Sequence, residues 1–237
     1  MKGISLKSHI RDLINRDRRP SMNENSANPL WHRDAVGGYW EEMGKLQFSF
    51  LLKQGLRPDQ GFLDIGCGCL RGGLHFVDYL HVGHYFGIDI NQELLDAGTR
   101  ELADHNLTDK RPVLLQMSDF DFSKLGQNFD YALAQSVFTH LPLNAIIRCI
   151  MNVEKVLVQG GRFYATFFES PEGKFNLQPV MHPRTDLPDI PTYFDRDPYH
   201  YDFQTFETIT CGTTLKVHYL GLWNHPWDQR MMVFEKS

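Results

Sequence analysis

The chain has 237 residues, 42% of them hydrophobic and 22% charged, with a formal net charge of -5 when histidine is neutral. That length suits one sizeable core, and a single α/β domain with an added cap or insertion, the arrangement favoured here, fits it as well as two small domains do. The negative balance offers no general attraction to nucleic acid or an anionic membrane, so nucleic acid is not expected as a partner.

The first nineteen residues depart from this balance, since Lys2, Lys7, Arg11, Arg16, Arg18 and Arg19 face only Asp12 and Asp17. A solvated end explains the excess, and a phosphate-bearing partner is the alternative. Ile4, Leu6, Ile10, Leu13 and Ile14 make a loose helical stripe, and Arg19 to Pro29 is polar and turn-prone. Residues 1–35 are therefore expected to form an N-terminal helical arm and linker, and 36–237 the main domain. No apolar run is long enough for a secretory signal or a bilayer span, which predicts a cytoplasmic protein.

From Val36 to Leu56 the chain reads as a helix, because Tyr39, Met43, Leu46 and Phe50 recur at spacings of four, three and four, and Gly55 stops it. Strand-like and helix-like segments then alternate, the pattern of a mostly parallel sheet covered on both faces. Strands are expected at Gly61 to Gly66, Tyr85 to Ile90, Val113 to Met117, Phe129 to Gln135 and Gly161 to Phe168. Ile146, Ile150, Val153 and Leu157 mark the helix before the fifth strand, with Gly160-Gly161 as its stop. Residues 169–204 are Pro-rich and aromatic, unsuited to long regular elements, and too long for a plain connector; they are the expected substrate cap. Two closing strands follow, Leu215 to Leu222 and Met231 to Glu235.

The four cysteines, Cys67, Cys69, Cys149 and Cys211, match neither a disulfide framework nor a zinc ligand set, and no metal is expected.

The chemistry concentrates in Phe62 to Gly73, FLDIGCGCLRGG, an apolar strand running into a glycine turn that is expected to open a helix. Glycines let the backbone turn sharply and approach a ligand closely, and a helix N-terminus offers free N-H groups, so a nucleotide-like cofactor is the natural occupant. A dinucleotide fingerprint would need a third glycine where Arg71 stands, which disfavours a nicotinamide-dependent oxidoreductase. Asp89 ends the second strand 21 positions after Gly68, where a carboxylate can accept both ribose hydroxyls.

The D-x-G-x-G arrangement of Asp64, Gly66 and Gly68 resembles motif I of the class I, Rossmann-like S-adenosylmethionine-dependent methyltransferases. Asp89, with Ile90 beside it, resembles that family's second motif, Ser118-Asp119-Phe120 its third, and Phe129 to Gln135 its fourth. The resemblance implies that the turn Gly66-Cys67-Gly68 passes beneath the methionine part of S-adenosylmethionine and that Asp64 organises its ammonium end. It implies too that Asp89 and Ile90 take the ribose side, that Ser118, Asp119 and Phe120 hold and cover the adenine, and that Gln135 is a further cofactor-binding residue. The implied fold is a seven-stranded, mostly parallel, doubly wound sheet of order 3-2-1-4-5-7-6, the last strand antiparallel, with helices on both faces and an inserted cap. Many family members have glycine where this chain has Leu70. GCGCLRGG resembles the GCG-x-LR-x-G variant of some bacterial methyltransferases, a number of them linked to glycan or other small-molecule tailoring. Arg71 is expected to bind the cofactor carboxylate or a substrate oxygen, since guanidinium suits bidentate contacts, with a salt bridge on the first helix turn as the alternative.

Gln135-Ser136-Val137-Phe138 replaces the Asn/Asp-Pro-Pro-Tyr/Phe of enzymes that methylate base or glutamine amino groups, and Gln135 is a poor substitute for a metal-binding acid. The expected reaction is O-methylation of a hydroxyl on a small molecule or sugar-containing precursor, with histidine as possible general base because it titrates near neutrality. His140 is the first candidate, with His200 and His225 as rivals. His32, Tyr39, Trp40, Arg196 and Tyr199 are the expected acceptor-lining residues, since aromatic faces with hydrogen-bonding partners suit sugars and phenols alike. The alternatives are a catalytically silent binding or scaffold protein that keeps the cofactor fold, and an N-methyltransferase of a small-molecule or protein amine. Oligomeric state leaves no trace in the sequence.

Overall fold

The computed structural model describes residues 28–171 and 176–237. The chain divides into two compact units, Met1–Gly38 and Tyr39–Ser237. In the first, the described residues hold one short helix, α1 (Trp31–Ala35). The basic arm and its expected helix lie outside the described residues.

In the second unit, α2 (Trp40–Lys53) precedes β1 (Phe62–Ile65), α3 (Gly73–Tyr79), β2 (Tyr85–Asp89), α4 (Gln92–Asp104), β3 (Val113–Gln116) and β4 (Phe129–Ala134). Then come α5 (Leu143–Val156), β5 (Leu157–Glu169), β6 (Val180–Arg184), β7 (Leu187–Thr192), β8 (His200–Tyr201), α6 (Phe203–Thr210), β9 (Leu215–Gly221) and β10 (Arg230–Lys236). The main sheet runs β3-β2-β1-β4-β5-β10-β9, parallel from β3 to β5, with β10 antiparallel to both its neighbours. This is the expected order, with one addition: β8 pairs with the far end of β5 through Phe168 and His200.

Side chains alternate across the sheet, as a strand's period of two requires. Phe62, Tyr131, Leu133, Tyr164 and Val233 pack with α2, α3 and α4 in one apolar cluster. Leu63, Ile65, Ala132, Phe163 and Phe234 pack with α5 and α6 in the other. Both faces are thus covered, and the carboxyl ends of the parallel strands are left as the open rim.

Three expectations need correction. Helix α2 begins at Trp40 rather than Val36, because Gly37, Gly38 and Tyr39 all have positive φ, and its buried face is Met43, Gly44, Gln47 and Leu51. Gly160-Gly161 does not stop a helix: α5 passes straight into β5, and the glycines make a bulge where pairing with β4 shifts from Phe129 opposite Leu157 to Tyr131 opposite Arg162. The Pro-rich stretch is also more regular than expected, with β6 and β7 forming a separate two-stranded hairpin that contains Pro183, Pro188 and Pro191. Two strands alone leave every second backbone N-H unpaired, so proline's missing donor costs little there.

Candidate active site at the carboxyl rim of the sheet

Glycine at 66 and 68 has a physical cause. Their φ angles are 71° and 55°, and a Cβ at Gly66 would lie 2.5 Å from Val137 Cγ2. Gly66 is exposed between buried neighbours, so the turn presents bare backbone to the rim. The turn is held from behind, where the N-H groups of Gly66 and Cys67 both donate to Ile88 O. Cys67 packs its thiol over Gly87, and burial pushes that thiol well above its ordinary pKa, so it serves as filling.

Leu70 has φ 71°, a conformation that glycine adopts freely and a leucine adopts at a cost of roughly 1–2 kcal/mol. Its side chain is fully buried against the bare backbones of Gly73 and Gly98, and full burial of a leucine contributes about 1.5–3 kcal/mol. Burial outweighs the strain, which accounts for leucine at a position where many members of the family it resembles carry glycine. The helix that follows starts at Gly73, five residues beyond Gly68, and has only seven residues. The glycine turn therefore works through its own backbone, not through an adjoining helix end.

Asp89 fixes the turn from the front. Its Oδ2 accepts the Gly68 N-H at 2.9 Å and its Oδ1 the Asn91 N-H at 2.8 Å, while Asn91 Oδ1 caps α4 by accepting from Glu93 and Leu94. Each carboxylate oxygen keeps a further lone-pair direction for a ligand hydroxyl. Asp64 is buried behind, where it accepts a 2.7 Å bond from the Tyr85 hydroxyl. Burial, and then the charge of Asp89, push its carboxyl up to about 7 against the opposing Tyr85 bond. A cationic group brought to this spot would favour the ionised form.

Ile90, beside Asp89, is a large apolar side chain left 64% exposed. Phe120 is half-buried in a left-handed turn, with exposed Ser118 and Asp119 before it. Lys124 reaches Asp119 at 2.6 Å and holds its carboxyl below the usual range.

At the end of β4 a polar cluster gathers from distant parts of the chain. Gln135 Oε1 accepts from Gln47 Nε2 of α2 and from Arg71 Nη2, each at 3.2 Å, and Gln135 Nε2 donates to Ser136 Oγ. Gln135 Nε2 also lies 3.1 Å from His225 Nε2. Behind them, Gln229 Oε1 accepts from Ser136 Oγ at 3.0 Å and from Thr166 Oγ1 at 2.7 Å. Arg71 is 8% exposed, and burial lowers its pKa to about 10. His225 lies between the rings of Trp223 and Trp227, and burial, aided by the charge of Arg71, pulls its pKa down to about 3. It is a neutral imidazole at any physiological pH.

The other two candidate bases differ from it. His140 closes the 3₁₀ turn Phe138–His140 directly after β4, half exposed, with Nδ1 2.6 Å from Asp197 Oδ1 of the cap segment. The Tyr199 N-H donates to Thr139 O at 2.7 Å and ties the cap to the same turn. His200 is fully buried, with Nδ1 2.9 Å from Thr192 Oγ1 and Nε2 2.7 Å from Asn176 O. Both its nitrogens are engaged inside the protein, so it staples the cap and has no nitrogen to offer a substrate.

Of the expected acceptor-lining residues, Tyr39 bonds Thr185 O at 2.8 Å and meets the edge of Trp227, which connects it to the His225 cluster. Trp40 is partly buried on the same helix. Arg196 is exposed, folded over the Tyr193 ring and beside Asp195, and Tyr199 stacks on Tyr201. His32 belongs to the first unit, with its ring edge-on to Trp31. Gln47 was missed by the sequence reading, although a polar residue in register with Met43 and Leu51 on a buried helical face is the signal that marks it.

A cleft of about 360 Å³ lies at the opposite, amino-terminal edge of the sheet, between Gln54, Arg57, Tyr131, Gly160 and Arg162. The glycine turn, Asp89 and Gln135 are all absent from its walls. Among the described residues no cluster of His, Cys, Asp or Glu is arranged to hold a metal ion, and no helix is long and apolar enough to cross a membrane.

Residues 63–163 match the family model of a methyltransferase domain. The demethylmenaquinone methyltransferase of Symbiobacterium thermophilum is 26% identical over 148 residues, 58% of this chain and 53% of that one, so the match spans about half the length of that relative. The crystal structure of magnesium protoporphyrin IX methyltransferase from Synechocystis PCC 6803 with bound S-adenosylmethionine is similar with a TM-score of 0.60, 14% identity and 100% of each chain covered. An S-adenosylmethionine-dependent methyltransferase from Clostridium acetobutylicum ATCC 824 has a TM-score of 0.61 at 10% identity, with 87% of this chain and 96% of that one covered. At such identities the structural likeness speaks for the fold. A methyltransferase-domain match over residues 63–163, laid over a sheet of this strand order, leads to one assignment: the chain carries a methyltransferase domain with the fold of the class I, S-adenosylmethionine-dependent enzymes.

Proposed function

We propose that the protein is a cytoplasmic O-methyltransferase that acts on a hydroxyl of a small molecule or sugar-containing precursor, with His140 as general base. The observation that carries this reading is the 2.6 Å contact between His140 Nδ1 and Asp197 on the turn that follows β4. With Nδ1-H directed to a carboxylate, Nε2 is the nitrogen free to accept a hydroxyl proton, and the carboxylate stabilises the imidazolium that results. His225 is the weaker candidate, because a base that holds its proton only below about pH 3 has little drive to take one from a hydroxyl.

S-adenosylmethionine supplies a methyl group on a sulfonium, poised for in-line displacement. In this reading Asp89 and Ile90 receive the ribose side, Ser118, Asp119 and Phe120 the adenine, the bare backbone of Gly66, Cys67 and Gly68 the methionine part, and Asp64 the ammonium. The exposed Gly66 and the spare lone pairs of Asp89 support that fit. Gln135, Arg71, Tyr39, Trp40, Arg196 and Tyr199 orient the acceptor, since alignment is most of what such a displacement requires. The absence of any disulfide and the burial of Cys67, Cys69 and Cys149 suit a reducing compartment. The net charge of -5 favours a small acceptor over nucleic acid.

Methyl-transfer assays over phenols, sugar hydroxyls, amines, peptides and RNA test the proposal. O-methyl product that falls away in His140→Ala is expected. Product from amines, peptides or RNA alone would overturn it, as would a folded chain that binds S-adenosylmethionine without turnover of any acceptor.

A further inference from the structure

The turn that carries His140 has a strained residue at its root. Ser136, just beyond the end of β4, has φ 58°, a left-handed conformation that a residue with a Cβ adopts only at a cost. Such strain persists where the surroundings over-determine it, and here they bond every polar atom of the residue. Its N-H donates to Thr166 Oγ1 at 2.7 Å and its carbonyl accepts from Thr139 Oγ1 at 2.9 Å. Its Oγ accepts from Gln135 Nε2 and donates to Gln229 Oε1 at 3.0 Å. Thr139 and Thr166 are fully buried, and Gln229 is 2% exposed.

Proton counting shows what residue 229 must supply. A hydroxyl has one proton to give. The Thr166 hydroxyl receives the Ser136 N-H, the Ser136 hydroxyl receives a Gln135 amide proton, and each passes its own proton on. Both go to the same atom, Gln229 Oε1, at 2.7 and 3.0 Å. A Gln229 amide turned by half would present its NH2 group to two hydroxyls and take this acceptor from both. Position 229 therefore calls for an oxygen that accepts two hydrogen bonds.

The turn rooted in Ser136 touches each part of the rim. Val137 lies against the bare backbone of Gly66. Thr139 O accepts the Tyr199 N-H of the cap, and His140, whose N-H donates to Val137 O at 3.0 Å, ends the turn beside Asp197. We infer that Gln229 is a positioning residue: its side-chain oxygen holds Ser136 in the left-handed conformation and so orients the turn that presents His140. What that orientation does for the reaction rests on the reading of His140 as the base, whereas the hold on the turn does not. Thr166 belongs to β5 and Gln229 immediately precedes β10, so the turn is aimed from the neighbouring strands as well as from β4.

Amide exchange on the full chain, with nitrogen NMR spectra of its labelled histidines, tests this without any substrate. Gln229→Met keeps the length of the side chain and removes the oxygen. It should speed exchange of the Ser136 and His140 amides roughly tenfold and leave β1, β4 and β5 as protected as before. The His140 Nδ1 resonance, which reports the contact with Asp197, should shift as well. Gln229→Glu restores an oxygen that accepts twice and should return the His140 signal and bring exchange back to within roughly threefold of the parent chain. If Gln229→Met loses its fold, Thr166→Val takes its place, since it removes the acceptor of the Ser136 N-H. Unchanged exchange in the folded variant would overturn the inference. So would protection lost evenly through the sheet, or a Gln229→Glu chain that behaves like Gln229→Met, because either makes residue 229 a matter of packing alone. No turnover is read, so a chain that keeps its activity in His140→Ala sinks the base reading and leaves this result standing.

Discussion

The glycine-turn side of the rim, proposed to hold the methyl donor, and the β4 side, proposed to hold the acceptor, are built in different ways. On the donor side, the glycine turn, Asp89 and the cap of α4 lie within about thirty residues and lock one another through backbone N-H groups. On the acceptor side, Gln135 meets partners 88, 64 and 90 residues away, and the contacts run almost wholly between side chains. A backbone-built site tolerates few changes of shape, whereas a side-chain cluster can be rebuilt one residue at a time. A common donor with many acceptors is the division of labour this construction suits.

Single substitutions on either side would break or sharpen that contrast. The largest effect is expected on the acceptor side, where His140→Ala should lower turnover by about 10²- to 10⁴-fold and leave S-adenosylhomocysteine affinity nearly unchanged. Asp197→Asn should show a smaller loss and an altered pH profile. Turnover that survives His140→Ala but is lost in His225→Ala would move the base into the buried cluster. On the donor side, Asp89→Ala should weaken S-adenosylhomocysteine by about 1.5–3 kcal/mol through the loss of a charged acceptor, measured by calorimetry. Unchanged affinity would mean that the ribose lies elsewhere.

Gly44→Ala probes the junction between the two sides. In an ordinary helix interior this change stabilises by about 1 kcal/mol. Here the new Cβ would collide with the backbone carbonyl of Arg71, and the expected result is destabilisation by about 1–3 kcal/mol in urea unfolding. A gain in stability would show that α2 can move off the turn at no cost.

The smallest effect concerns Asp64. Its folded-state carboxyl titrates near 7, above the value for an unfolded aspartate, so the folded form holds its proton to higher pH. Its contribution to stability is therefore present below about pH 4 and is lost as pH rises towards 7. Melting temperatures of the ligand-free protein should fall over that window, and Asp64→Asn should flatten the slope. If the cofactor ammonium docks here, binding should tighten from pH 6 to 8 and release a proton, a change visible as buffer-dependent heats. Binding that is flat with pH would place the ammonium away from Asp64.

The sheet order and the glycine turn were legible because both leave local marks. Alternating segments announce a covered parallel sheet, and positive φ at 66 and 68 demands glycine whatever lies around it. Two features of the fold were not legible for equally local reasons. Prolines at 183, 188 and 191 argue against strands, yet a free two-stranded hairpin accommodates them. Gly160-Gly161 looks like a helix stop and is instead a bulge, because the strand signal starts at Leu157, where the sequence still keeps helical spacing. The histidines show where reading by residue type ends. His140, His200 and His225 have the same side chain, but one is paired at the surface, one is walled in, and one is kept neutral beside an arginine. Only tertiary neighbours, remote in the sequence, assign those conditions.

The packing of α2 on the glycine turn bears on how this protein could be recombined with its relatives. Gly44 lies against the Arg71 carbonyl, and Gln47 occupies the space a Cβ on Gly72 would need. Residues 40–53 and 66–73 thus form one graft unit, although 63–163 is the stretch that matches the family model. A chimaera that imports a relative's turn without its own preceding helix would press two surfaces together that were never shaped for each other. Transplanting the pair as a unit is the arrangement expected to give a folded hybrid.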